Sequence, residues 1–503
     1  MLCLGACGCV CDRLRRQIEL TWELEPIQGI LPLTITDRKI GGLTMKFQTT
    51  RRSLGGVTLL GLMLSLMAVA SMPGEGTRVF AAPGGDAVTI WNENAGIAAT
   101  QACLAPLANP LHESRIYAMM HVAIHDALNA IDRRSRPYAF DAQAEVGASP
   151  DAAVAAAARY VLVPLIAQLP LELHSQACID AGVASVQAAY TAALAAIPNG
   201  EAKTQGIAIG REAAAAILGL RADDGAVGPF LNFACPQDTD PGEYRCTPGT
   251  PFIAFEGWEN VTPFVLHHSS QFHPGPPYKV DSKKYTADFN EVKSLGGDGV
   301  TTPSARSADE SEIALFWWES SPLKWNRIAR TVSADQGLTL WENARLFGLL
   351  NMALADGYIA MVATKNHYNY WRPVTAIQAG DADGNSDTVG DPTWTPFRPT
   401  PPNSDYASGH SIEGGAGAEV LKQFFGTDQI SFRDCGATLP AGSTCSDATP
   451  VFRSYTSFSQ AAAENALSRI LIGFHFRKSV EEGTRYGRDI GRRAANLFLR
   501  PVH

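Results

Sequence analysis

At 503 residues, with 46% apolar and 18% charged side chains, the chain is long enough for an enzyme-sized core and too apolar for wholesale disorder. A formal net charge of -9 excludes a general polyanion binder, whose affinity would come from many Lys and Arg contacts, so no nucleic-acid partner is expected.

Reading from the N-terminus, Lys46, Arg51 and Arg52 precede an apolar stretch, Val57 to Ala70, that closes in Ala68-Val69-Ala70 before Ser71. That is the layout of a secretory signal, and Thr50-Arg51-Arg52-Ser53-Leu54 also fits a loose twin-arginine pattern. A signal belongs at the start of a chain, so Met45 is expected to be the initiator, with residues 1–44 an unstructured leader and 45–82 the signal region. Cysteine usage points the same way. Cys3, Cys7, Cys9 and Cys11 lie in the leader, leaving Cys103, Cys178, Cys235, Cys246, Cys435 and Cys445, an even number suited to an oxidising compartment. The expected pairs are 103 with 178, 235 with 246, and 435 with 445; metal binding is the alternative, but the mature part has no C-x-x-C. A secreted or periplasmic location follows as an expectation.

From about Asn92 to Leu220 the sequence is Ala-rich with helical periodicity, as in Ser114 to Ile131 and Ala152 to Leu169. Between Ala222 and Thr302, Pro and Gly become dense and periodicity fades, which predicts long loops that cross the surface or cover a cavity. Helical patterning returns near Asp309 and continues through Leu338 to Lys365, Ser411 to Phe425 and Gln460 to about Gly473. Residues 83–503 are expected to form a single helical domain, with the chemistry in 309–503.

The chemistry-bearing residues fall into three groups at the ends of these later helices. Lys365 and Arg372, in Lys365-Asn-His-Tyr-Asn-Tyr-Trp-Arg372-Pro373, are seven apart and so share nearly one helical face, with Pro373 expected to stop the helix. Ser408-Gly409-His410-Ser411 follows a Pro-rich entry and opens a helix rich in small residues, which places a hydroxyl and backbone N–H groups at a positive helix end. Arg469 and His475 would lie ~120° apart on an unbroken helix, so the helix is expected to end or distort near Gly473. Each group alone has a bland reading: solvated cations, an N-cap, a core histidine. Together they supply what a buried, multiply charged oxyanion needs to offset its desolvation.

This order of motifs resembles the vanadium-dependent haloperoxidase and type 2 phosphatidic acid phosphatase superfamily, whose signature runs K-x6-R-P, P-S-G-H and S-R-x5-H. The likeness extends to His125-Asp126-Ala127-Leu128-Asn129-Ala130-Ile131, Asp288-Phe289-Asn290-Glu291-Val292-Lys293 and Ala344-Arg345-Leu346, so it covers about Asp86 to Phe498. It implies an all-α helical bundle assembly that binds vanadate, or phosphate in the same site. Lys365, Arg372 and Arg469 would neutralise the equatorial oxygens, Ser408 and the Gly409 N–H would hydrogen-bond them, His475 would bind vanadium, and His410 would be the acid–base group. The implied activity is oxidation of a halide by hydrogen peroxide, with the metal a Lewis acid. An acid phosphatase acting on a phosphoester, with His475 as nucleophile, is the alternative, and a binding protein that holds the anion without turnover is another. The soluble branch is expected, on the reading that no segment of the mature chain spans a membrane, and a homo-oligomer is left open.

The pattern is not followed everywhere. Ala407 stands where a Pro is usual, and Ser479 stands four residues after His475, where phosphatases carry an Asp that orients the imidazole. The lack of that orienter favours the haloperoxidase reading. Val362 and Asn403 replace a Trp and a Phe of chloride-oxidising relatives, which favours bromide or iodide.

Overall fold

The computed structural model describes residues 85–236, 240–439 and 450–502; the leader and signal region lie outside them, as does Cys445. Among the described residues there are 13 α-helices and two small two-stranded sheets, an all-α fold. The buried apolar side chains form one cluster that runs from Val88 to Leu499.

The Ala-rich first half folds as α1 (Ala87–Gln101), α2 (Pro110–Ile131), α3 (Pro150–Ala167), α4 (Gln176–Ala196) and α5 (Glu201–Leu220). Asp86, Asn109, Ser149 and Ser175 each start a helix by accepting a backbone N–H three residues on, and Pro occupies the first turn of α2 and α3. Cys103–Cys178 ties the end of α1 to the start of α4, and Cys235–Cys246 closes a loop after α5, two of the three pairings expected.

The Pro- and Gly-rich middle is mostly loop, with β1 (Leu231–Asn232) antiparallel to β2 (Ile253–Ala254). It also holds α6 (Lys283–Leu295), a helix where only loops were expected. Ser282 caps it, and the buried residues Tyr285, Asp288, Phe289 and Val292 are spaced 0, 3, 4 and 7, a short stripe hidden by the turn residues on either side.

The second half comprises α7 (Ala308–Phe316), α8 (Ser321–Gln336), α9 (Leu340–Tyr368), α10 (Pro373–Gln378), α11 (Gly409–Phe425), the pair β3 (Phe432–Cys435) and β4 (Phe452–Tyr455), α12 (Phe458–Leu471) and α13 (Arg477–Leu497). Every residue of α9 from Leu346 to Lys365 is buried, so this helix is the central post of the half. α11 and α13 meet backbone to backbone: a Cβ at Gly415 would lie 2.2 Å from the Thr484 carbonyl, and one at Gly487 1.9 Å from that of Ile412. Only glycine permits that approach, which brings the start of α11 beside the start of α13.

Two expectations are corrected. Pro373 does not stop the helix that carries Lys365. That helix ends at Tyr368, where Asn369 turns left-handed (φ 43), and Pro373 instead begins α10 with Arg372 as its N-cap. Nor is the mature chain without helices long and apolar enough to cross a membrane: Pro150–Ala167, Gln176–Ala196 and Leu340–Tyr368 all are, by length and composition. A helix packed on all sides is apolar all round, as a membrane helix is, and Leu340–Tyr368 is such a helix, its most apolar window wholly buried.

Candidate oxyanion site

The left-handed turn at Asn369 folds the chain back so that Arg372 returns to the level of Lys365. Lys365, in the last turns of α9, donates from Nζ to the Ser404 carbonyl and, at 3.0 Å, to the Asp405 carbonyl. Arg372 donates from Nε to the Asn403 carbonyl (2.7 Å) and from Nη2 to the Asn403 side-chain oxygen (2.7 Å). Its Nη1 reaches the Phe474 carbonyl (2.9 Å) and Nε2 of His475 (3.0 Å). Both cations are therefore set by the segment entering the second motif.

Ser408 is the N-cap residue of α11, yet its side chain makes no capping bond; its hydroxyl accepts from Ser411 at 3.0 Å and its N–H donates to the Ser479 carbonyl at 3.2 Å. A Cβ at Gly409 would sit 2.5 Å from the Met361 sulfur, so a larger residue there would have to displace the Met361 side chain. His410 is partly buried, with Nε2 3.0 Å from the Glu319 carbonyl and its own carbonyl held by Asn465 at 2.9 Å. Their place in the first turn of α11 puts unpaired backbone N–H groups at the positive end of its dipole.

Arg469 lies in the last turn of α12 and donates from Nε to Ser468 (3.0 Å) and from Nη2 to the Trp317 carbonyl (3.1 Å). The helix stops at Leu471 and Gly473 takes φ 85, which swings His475 back toward Arg372. Nδ1 of His475 is 2.8 Å from Asp405 Oδ1 and 3.2 Å from the Ser479 hydroxyl. With a carboxylate at Nδ1 and an Arg N–H at Nε2, the ring carries its proton on Nδ1 and presents Nε2 as an acceptor.

Three cations from two distant parts of the chain thus act on one imidazole. Lys365, Arg372, Arg469 and His410 all act electrostatically on His475. Burial, reinforced by those cations, holds its pKa well below the ordinary histidine value; burial and then Arg469 do the same for His410, so both rings are neutral near pH 7. Burial lowers Arg469 to about 9 and also lowers Lys365 and Arg372. Asp405 is the carboxylate that offsets Lys365 and Arg372, and among the described residues no carboxylate pairs with Arg469. Burial raises Asp405 itself to about 7.

Two other cations, Lys324 and Arg327, are treated differently. Lys324 pairs with Glu319 (3.0 Å) and Asp434 (2.9 Å), and Arg327 with the same two carboxylates. A cluster of 1–3% exposed cations with one shared carboxylate is costly unless an anion joins it. The donor set fits a tetrahedral oxyanion: forked guanidinium groups, an ammonium, a hydroxyl, a glycine that lets the backbone close in, and a neutral imidazole nitrogen.

Several contributors were not foreseen from the sequence. Asp405 supplies the carboxylate that Ser479 cannot, so the inference that no carboxylate orients His475 is overturned. Asn403, noted only as a departure, grips Arg372 with two oxygens. The carbonyls of Trp317 and Glu319 hold Arg469 and His410. The flanking motifs are structural. Asp126 accepts the N–H groups of Tyr138, Ala139 and Phe140, Asp288 that of Lys478, and Arg345 donates to the Leu499 carbonyl.

Residues 345–503 match the family model of the VCPO second helical-bundle domain. Vanadium chloroperoxidase of Curvularia inaequalis is 24% identical over 291 residues, 46% of this chain and 47% of that protein, so the match spans about half of that relative's length. The crystal structure described as that of the first bacterial vanadium-dependent iodoperoxidase is similar with a TM-score of 0.66 and 24% identity, over 83% of this chain and 98% of that one. An apo-type bacterial vanadium-dependent chloroperoxidase is similar with a TM-score of 0.60 and 14% identity, over 78% of this chain and 94% of that one. By its C-terminal domain, matched over residues 345–503, and by its fold, the chain is similar to the vanadium-dependent haloperoxidases.

Proposed function

We propose that the chain is a vanadate-dependent haloperoxidase-like enzyme that oxidises a halide, bromide or iodide in preference to chloride, with hydrogen peroxide. The observation that carries this reading is the convergence of three buried cations on His475, two of which also act on His410, with Asp405 the one carboxylate that offsets them among the described residues. Bound vanadate would supply a Lewis acid able to activate peroxide. His475, fixed through Nδ1 by Asp405, offers Nε2 as the protein ligand; Lys365, Arg372 and Arg469 hold the anion's oxygens, with the Ser408 hydroxyl and the Gly409 N–H completing the set. His410, neutral and beside Arg469, would hold or release a proton for an oxygen of the bound anion. The disulfides Cys103–Cys178 and Cys235–Cys246 suit a secreted or periplasmic protein.

A phosphatase is the second reading, and Asp405 favours it. A carboxylate at Nδ1 of His475 is what a nucleophilic imidazole needs to stay oriented while Nε2 attacks phosphorus, and His410 would then protonate the leaving oxygen. The test gives purified protein orthovanadate, hydrogen peroxide and bromide or iodide, and separately an aryl phosphate without vanadate. Halide oxidation alone supports the first reading and phosphate release alone the second. Tight anion retention with neither activity would make the chain a binding protein.

A further inference from the structure

Asp405 meets His475 through Oδ1. Its other carboxylate oxygen, Oδ2, is buried and has no hydrogen-bond partner among the described residues, and the same is true of the Tyr285 hydroxyl. The two side chains are 0% and 1% exposed. They line one narrow cavity on the Asp405 side of His475, with Tyr278, Tyr370, Phe476 and Ser479 in its walls and about 10 Å³ open to the centre of a water molecule. A polar cavity of about 10–15 Å³ on that measure holds one water when at least two polar groups face it.

The other polar groups of the walls are already committed. The Tyr370 hydroxyl donates to the Tyr278 carbonyl (2.8 Å) and the Ser479 hydroxyl to the Asp405 carbonyl (3.1 Å). What remains is a hydroxyl proton to give and a carboxylate oxygen to receive, and a single water complements both. Tyr285 is also firmly placed. It enters on the buried stripe of α6, whose Asp288 accepts the Lys478 N–H (2.8 Å) at the start of α13. Its ring packs on Trp371 and Phe476, with centroids 6.3 and 5.6 Å away.

We infer that Tyr285 is a positioning residue of the site. One water in this cavity accepts a hydrogen bond from the Tyr285 hydroxyl and donates one to Asp405 Oδ2. The carboxylate is thereby held in the orientation that keeps the proton of His475 on Nδ1 and its Nε2 toward the cradle. The effect on function rests on the reading that His475 Nε2 meets the bound anion, whereas the water and the His475 tautomer need no anion.

The test therefore starts with the anion-free protein. A high-resolution crystal structure should show one water within hydrogen-bond distance of Tyr285 Oη and Asp405 Oδ2. Nitrogen-15 NMR should find His475 as the Nδ1–H tautomer in the wild type, with a measurable Nε2–H share in Tyr285→Phe, which keeps the ring and removes only the hydroxyl. Calorimetry with orthovanadate should then give an affinity about fivefold lower in Tyr285→Phe, the worth of one hydrogen bond. The same substitution made on top of Asp405→Asn should change affinity by no more than about twofold, because the two residues act in series. A cavity without that water, a His475 tautomer unchanged in Tyr285→Phe, or equal affinity losses with and without Asp405 would overturn the inference. No vanadate binding by the wild type would instead overturn the oxyanion reading of the site, and the water and the tautomer would still decide the role of Tyr285.

Discussion

Asp405 acts on His475 from 70 positions earlier in the chain, and the contact decides which imidazole nitrogen faces the cradle. Residues in this position typically change ligand affinity or activity by about 10–100-fold when altered. Asp405→Asn should therefore lower kcat of whichever activity is found by about that factor, measured at saturating substrate, while Ser479→Ala, at 3.2 Å from the same nitrogen, should cost less than Asp405→Asn. The candidate site residues could be picked out by order and spacing because each group sits on a short, distinctive string. Asp405 and Asn403 were not, because their roles arise only when the loop before α11 folds against α9 and the turn after α12. An Asp three residues before Ser408 carries no local signal of that kind.

At the level of elements, the cradle is aimed by helix ends and by the 317–320 segment that follows α7. That segment gives its Trp317 and Glu319 carbonyls to Arg469 and His410, and its Glu319 side chain is tied into the quartet with Lys324, Arg327 and Asp434. Lys324 is 1% exposed, so replacing it leaves buried carboxylates underpaired. Lys324→Met should destabilise the fold by roughly 3–5 kcal/mol in urea unfolding. Because the same segment holds His410, activity should fall in protein that is still folded. The covering loops over the cavity could be read from Pro and Gly density, whereas the turn at Asn369 could not. A lysine and an arginine seven apart suggest one helical face, yet they meet because the helix ends between them.

Across the whole molecule, the alanine-rich periodicity was enough for the all-α class, and the same feature hid the distinction between a buried helix and a membrane span. The core also encloses Glu113, whose carboxyl accepts from Ser320 at 2.5 Å and which burial raises to about 7. Its folded pKa exceeds its unfolded value of 4.5, so the stability it lends is complete below about 4.5 and is lost as pH rises through about 7. Urea unfolding at pH 4.5 and pH 8 should show wild type losing about 3 kcal/mol relative to Glu113→Gln over that interval. A constant difference between the two proteins would mean that Glu113 does not hold its proton in the fold.

The claim on which all of this depends is that Lys365, Arg372, Arg469 and His475 enclose one anion. Calorimetric titration of the purified chain with orthovanadate tests it most directly. One site per chain is expected, with affinity reduced at least tenfold in His475→Ala and in Arg372→Ala, each removing a charge-assisted or coordinating contact worth about 1.4 kcal/mol or more. No binding, or binding that both substitutions leave unchanged, would contradict it.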